Sequence, residues 1–256
     1  MEDVVTPSVT LTDGGYLTAL ESCTGKQCDI YYTRSFTEGK ASTVCLPFDY
    51  TKKAGDGSFY EFTGIEQDGS GEYVATMTEP VSTTLTANTP YLYMPNVTDE
   101  VDFSGTYTIP ADLTAGSYTN GDWTFKGTYA TIEWTSAPTG IYGFSAQNAN
   151  GISQGQFVKV GNYVRIKPMR CYLEYDEGNS DWAGVRSMNR AAEQLPETIK
   201  VRLVSANGEV TAIGSLQTKT GEVSFDKNGW YTLDGRRVQN PTKGIYLNNG
   251  KKIIVK

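Results

Sequence analysis

An all-β fold is what this sequence predicts: a β-sandwich assembly over residues 1–177, a linker at 178–197 and a small C-terminal β-sandwich over 198–256. Three observations carry that expectation. From Ile30 to Phe48 the side chains alternate with period two, Ile30, Tyr32, Arg34 and Phe36 against Tyr31, Thr33 and Ser35, then Val44, Leu46 and Phe48 against Thr43, Cys45 and Pro47. The composition is rich in strand and turn formers, with 17 Tyr and 27 Gly and no long run of helix-forming residues. The tail carries Asn-Gly and Asp-Gly pairs between short apolar runs, and these supply the positive φ angles that tight hairpins need.

Taken in order, Thr12-Asp13-Gly14-Gly15 is a turn and Tyr16–Glu21 reads as a strand. The two alternating runs of Ile30–Phe48 read as an antiparallel hairpin across Thr37–Lys40, with an apolar face for another sheet to cover. Strands follow at Ser58–Ile65, Gly71–Met77, Ser82–Thr86 and Tyr91–Met94. The prolines around the last mark an edge or a strand beginning, because proline cannot donate to the ladder. Phe103–Ile109, Gly121–Tyr129, Thr131–Trp134, Gly140–Ser145, Gln156–Val160 and Tyr163–Tyr175 continue the theme. In the last, a bend at Lys167-Pro168 restores the inward face. A faint echo between Tyr60–Tyr93 and Tyr142–Tyr172 raises the option of two related halves, 1–100 and 101–177. Ala183–Leu195 is a helical turn that Pro196 ends. In the tail, Val201–Val204 faces Glu209–Ile213, Trp230–Leu233 faces Arg236–Val238, and Gly244–Leu247 faces Lys252–Val255.

Composition narrows the chemistry. The chain of 256 residues is long enough to bury roughly 70–75% of its unfolded surface. A net charge of −7 argues against nucleic acid and anionic membrane surfaces as partners. No stretch approaches a membrane span, and the N-terminus lacks the layout of a signal peptide. There is no histidine, which removes histidine-based triads and histidine-ligated metals. Cys23 and Cys28 flank a turn-like spacer that admits a disulfide in an oxidising compartment, whereas Cys45 and Cys171 read as buried free thiols. No metal site or cofactor is expected, since Asp99-Glu100-Asp102 and Asp226–Gly229 have turn chemistry without ligand spacing.

Two resemblances add to this reading. The ending Trp230–Val238, Lys243–Tyr246 and Asn249–Lys256 is similar to the type IX secretion sorting domains of Bacteroidetes, and the match is most specific over the last 27 residues. Tyr32–Phe36, Thr43–Phe48 and Thr89–Leu92 resemble modules of large Prevotella- and Bacteroides-type surface proteins, with Ala41 where those modules often carry Trp. The resemblance implies an Ig-like C-terminal β-sandwich whose tail motif is Trp230, Asp234, Gly235, Gly244, Tyr246, Gly250 and Lys252. It also implies export machinery as a partner, and a place outside the cell, secreted or on the outer surface.

The candidate site residues follow from chemistry alone. Trp134, Trp182 and Tyr129 can offer a ring face to a sugar while Asp and Asn hold its hydroxyls, and Glu133 beside Trp134 is a further ligand-binding candidate; Trp123 shares parity with Phe125 and belongs to the core. The leading expectation is a non-catalytic protein that binds a glycan or a surface protein. A carboxylate glycosidase would draw two of Glu133, Glu61, Asp122, Glu174 and Asp176 across a cleft, and a self-assembling subunit would expose a strand edge.

Overall fold

The computed structural model describes residues 6–96, 100–145, 155–176, 195–213, 215–216, 223–224, 230–232, 237–238, 241–248 and 251–255. Their regular structure is nearly all strand, with one short 3-10 turn. The first eleven strands are β1 (Ser8–Thr10), β2 (Gln27–Tyr31), β3 (Thr33–Ser35), β4 (Ser42–Cys45), β5 (Tyr50–Thr51), β6 (Ser58–Gln67), β7 (Tyr73–Thr78), β8 (Thr84–Leu85), β9 (Pro90–Met94), β10 (Glu100–Asp102) and β11 (Gly105–Thr108). Next come β12 (Ser117–Asn120), β13 (Trp123–Thr128), β14 (Ile132–Trp134), β15 (Ile141–Phe144), β16 (Phe157–Lys159), β17 (Val164–Ile166), β18 (Arg170–Tyr175), β19 (Thr198–Val204) and β20 (Val210–Ile213). The tail holds β21 (Ser215–Leu216), β22 (Val223–Ser224), β23 (Trp230–Thr232), β24 (Arg237–Val238), β25 (Gly244–Asn248) and β26 (Lys251–Val255).

One large sheet runs in the order β12-β13-β18-β15-β16-β19-β7-β6-β9-β4, with β20 added to β19. It curls until its last strand, β4, lies against β18: Thr43 Oγ1 accepts from Cys171 N at 3.0 Å, and Cys45 N donates to Met169 O at 3.4 Å. Gly127 makes this closure possible, because a Cβ there would stand 2.5 Å from Cys45 Sγ. The curl encloses a core of Phe62, Leu92, Phe125, Tyr142, Phe157, Leu173, Val201 and Leu203. Three small sheets, β1-β2-β11, β3-β10 and β5-β8, help to build a second core, with Ile30, Tyr32, Phe36, Tyr50 and Phe103 set against Val44, Phe59, Tyr91 and Tyr93.

Strand β4 therefore has a core on each side. Val44, Leu46 and Phe48 enter one and Ala41 and Cys45 the other, and every residue from Ala41 to Phe48 is buried. The alternation in Ile30–Phe36 is present as expected, with Ile30, Tyr32, Arg34 and Phe36 buried and Tyr31, Thr33 and Ser35 exposed. The expected hairpin is not. β2 pairs with β1 and β11, β3 with β10, and β4 with β9, so the two runs belong to different sheets and meet through side chains. Period-two patterning specifies which face is buried but not which strand is the neighbour.

Arg34 makes that meeting specific. Its guanidinium is 5% exposed, donates to Thr43 O at 2.9 Å and Ser42 Oγ at 2.5 Å, and lies over the Phe36 ring at 4.5 Å. Asp13, from the N-terminal turn, stands 3.6 Å from Arg34 Nε, takes two bonds from Arg170 Nη2 at 2.7 and 2.8 Å, and accepts from Tyr32 Oη at 3.2 Å. Burial pulls the Arg34 pKa down to about 10 and Arg170 adds repulsion, while Asp13 opposes both. Partial burial alone would raise the Asp13 pKa, but Arg170, Arg34 and Tyr32 together outweigh it and hold that carboxyl below its usual value.

Three further expectations change. Tyr16–Glu21 is not a strand: Thr18–Cys23 is a 3-10 turn that buries Leu20 and Cys23, and Cys23 and Cys28 form a disulfide across a Cα separation of 6.0 Å. The boundary at 198 moves, because β19 pairs in parallel with β7 and antiparallel with β16, placing Ile199, Val201 and Leu203 in the main core. The halves 1–100 and 101–177 are interleaved rather than separate, as β3 pairs with β10 and β2 with β11. Of the linker, residues 178–194 lie outside the described residues. In the tail, β24-β23-β25-β26 form a four-stranded sheet of their own, with Trp230 and Tyr246 rings packed at 6.2 Å.

Replacing Arg34 by Met should lower the unfolding free energy in urea by about 3 kcal/mol, since Asp13, Thr43 O and Ser42 lose a buried charged partner. The Asp13 ionisation adds a pH dependence of known sign. Because its folded pKa lies below the unfolded one, the stability that wild type holds over Asp13→Asn is present at pH 7 and is lost as the pH falls below about 4. Melting curves of the two proteins across that range check it.

Candidate ligand-binding flap

Strands β14 and β17 pair antiparallel, Ile132 with Ile166, Glu133 with Arg165 and Trp134 with Val164, and form a two-stranded flap. Alternation puts Ile132, Trp134, Val164 and Ile166 on one face and Glu133 and Arg165 on the other. The apolar face turns to the body of the molecule: Ile166 is buried, and the half-buried Trp134 ring meets Tyr172 of β18 edge to face at 6.2 Å and 75°. Tyr172 stands in the large sheet between Lys126 of β13 and Gly143 of β15. Lys126 is ion-paired to Glu174, the next residue on that face. Burial raises the Tyr172 hydroxyl pKa, so it stays protonated at neutral pH.

The other face of the flap is open. Glu133 Oε2 accepts from Arg165 Nε at 3.2 Å and Nη2 at 2.9 Å, with the side chains 48% and 58% exposed. A pair this exposed contributes at most about 1 kcal/mol to stability. Just before β17, Tyr163 has φ 58° and is 80% exposed, while Asn162 Oδ1 accepts from Ala137 N at 2.7 Å and fixes the turn.

The structure thus brings Trp134 and Glu133 onto one element, though on opposite faces. Tyr129 belongs elsewhere. Its hydroxyl is within hydrogen-bonding distance of Leu46 O (2.9 Å) and Asn88 Oδ1 (2.8 Å), faces Cys45 Sγ at 3.7 Å, and burial drives its pKa far above the usual value. It is a cross-brace for β4 rather than a ligand contact, because its parity at the end of β13 turns the ring inward. Trp182 lies outside the described residues. Trp123 is in the core, 6% exposed. Among the glycosidase candidates, Glu133 and Glu174 are held by Arg165 and Lys126, and Glu61 is exposed opposite Thr78.

Of the tail motif, Trp230, Gly244 and Tyr246 lie on the four-stranded sheet, Tyr246 buried and Gly244 against its ring, while Lys252 is exposed. Asp234, Gly235 and Gly250 lie outside the described residues, as do Asp99 and Asp226–Gly229. Asp102 is tied to Ser104 N at 2.8 Å. Among the described residues no group of three or more Cys, Asp or Glu is placed to hold a metal, and no helix is long and apolar enough to cross a membrane. No protein-family model, curated protein or solved structure matches this chain.

Tyr163 and Arg165 were not legible as site residues. The signal was the Gly161-Asn162 turn pair, which fits a display position better than the beginning of a long strand. Because a left-handed φ disfavours a Cβ, Tyr163→Gly should raise the unfolding free energy by about 1 kcal/mol. A fall of similar size in urea titrations would mean that the ring packs against the protein instead of facing solvent.

Proposed function

We propose that this is a non-catalytic binding protein that works outside the cell, secreted or on the outer surface. It holds an extracellular ligand, a glycan or a surface protein, on the β14–β17 flap, and the C-terminal strands serve export or attachment. The observation that carries the reading is the flap itself. It is a peripheral two-stranded element with an aromatic pair, Trp134 and Tyr172, along one side and an open ion pair, Glu133 and Arg165, on the other. Aromatic edges with a few polar groups beside them are the usual furniture of ligand sites. Glu133 and Glu174 each engage a cation, which favours binding over hydrolysis, since a glycosidase acid must carry a proton.

The Cys23–Cys28 disulfide supports the compartment, because such bonds persist where the medium is oxidising. Cys45 and Cys171 are compatible with it. Both are buried, and burial pushes the Cys45 thiol up to about 12 and the Cys171 thiol well above its usual value, so neither offers a reactive thiolate.

Two measurements test the proposal. Protein recovered from its natural compartment should show no reactive thiol when native and two when denatured without reductant; four would place it in a reducing compartment. On arrays of glycans and of extracellular proteins, the wild type should give a saturable signal that Trp134→Ala weakens by about tenfold. Equal signals from the two proteins would remove the flap from the account.

A further inference from the structure

We infer that the outer face of the flap, Tyr163 with the Glu133–Arg165 pair, is a stacking site for a neutral pyranose ring; this rests on the binding role proposed above and names its ligand. Three observations converge on it. The first is Tyr163, a large ring 80% exposed and held at φ 58°. Asn162, one position earlier, belongs to the type that tolerates this conformation best, yet its side chain is used to fix the turn on Ala137 N. The backbone strain therefore falls on the tyrosine, and what it achieves is display of the ring to solvent.

The second observation is the unused bonding capacity beside it. Arg165 is two residues beyond Tyr163 and directly across the ladder from Glu133. Their mutual bonds employ Glu133 Oε2 with Arg165 Nε and Nη2. Glu133 Oε1 and Arg165 Nη1 have no protein partner among the described residues. An acceptor and a donor side by side match two neighbouring hydroxyls of a sugar, one donating and one accepting, while its C–H face lies on the tyrosine.

The third is charge. The two side chains neutralise one another, so Arg165 is not left as an unpaired cation for a uronate or sialate carboxylate, and the chain as a whole carries −7. Both facts select an uncharged ring over an acidic one.

Isothermal titration calorimetry with maltohexaose, cellohexaose and mannohexaose, and with a galacturonate hexamer as the acidic comparator, tests the site on the intact protein. The wild type should bind at least one neutral hexamer and bind the acidic one more weakly. Tyr163→Ala should lower that affinity by about tenfold, and Tyr163→Phe, which keeps the ring, by less than about threefold. Unchanged melting curves show that the variants are folded. The inference is overturned if no neutral hexamer binds, if the acidic hexamer binds best, or if Tyr163→Ala binds as wild type. Binding of a glycan or protein that is lost in Trp134→Ala and kept in Tyr163→Ala would overturn this site alone and leave the broader binding role in place.

Discussion

The structure depends on a strand that has no solvent side. β4 is the last strand of the curled sheet, and an unprotected last strand would leave a row of backbone groups without partners. Here that row is closed by side chains together with the backbone bond from Cys45 N to Met169 O. Arg34 reaches the carbonyl of Thr43, the Thr43 hydroxyl takes the amide of Cys171, and the Tyr129 hydroxyl stands against the carbonyl of Leu46. A polar atom left unpaired at this depth would cost about 1–3 kcal/mol, so the Arg34 bond to Thr43 O matters most, while Leu46 O also accepts from Asn88 N at 2.7 Å.

From that constraint the rest of the architecture follows. The small residues Ala41, Thr43 and Cys45 let β4 be approached closely from the β18 side, and Gly127 gives β13 the same freedom. The larger Val44, Leu46 and Phe48 fill the opposite core, where tyrosine and phenylalanine rings dominate. Asp13 ties the N-terminal turn to the same point by engaging Arg34 and Arg170 together. The flap lies away from this mechanical centre, where the binding role proposed for it would leave the buried strand undisturbed.

Much of this could be read in the residues and some could not, for a consistent physical reason. Alternation told which side of Ile30–Phe36 is buried, placed Trp123 in the core and marked Val201–Val204, the second half of β19, as a strand. It was silent about neighbours. β4 pairs with a strand more than forty residues away, and β19 pairs in parallel with β7 across more than a hundred, because such partners are chosen by shape and side-chain closure at long range. Tyr16–Glu21 failed as a strand since the disulfide and Leu20 pull that short segment into a tight turn. Residue type singled out Trp134 and Glu133, and the structure sets both on one strand of the flap. Tyr129 misled, because an aromatic hydroxyl that braces a core looks the same in sequence as one that faces a ligand, and the Gly161-Asn162 pair marks a turn without telling that Tyr163 takes the left-handed backbone.

Native-state hydrogen exchange, followed residue by residue, tests the central claim about β4 most directly. The amides of Val44 and Cys45 should exchange only through global unfolding, with the same free energy and denaturant dependence as Leu173 in β18, and more slowly than Ile245 and Ile254 in the C-terminal sheet. Exchange of the β4 amides by a local opening well below the global free energy, while β18 remains protected, would contradict it.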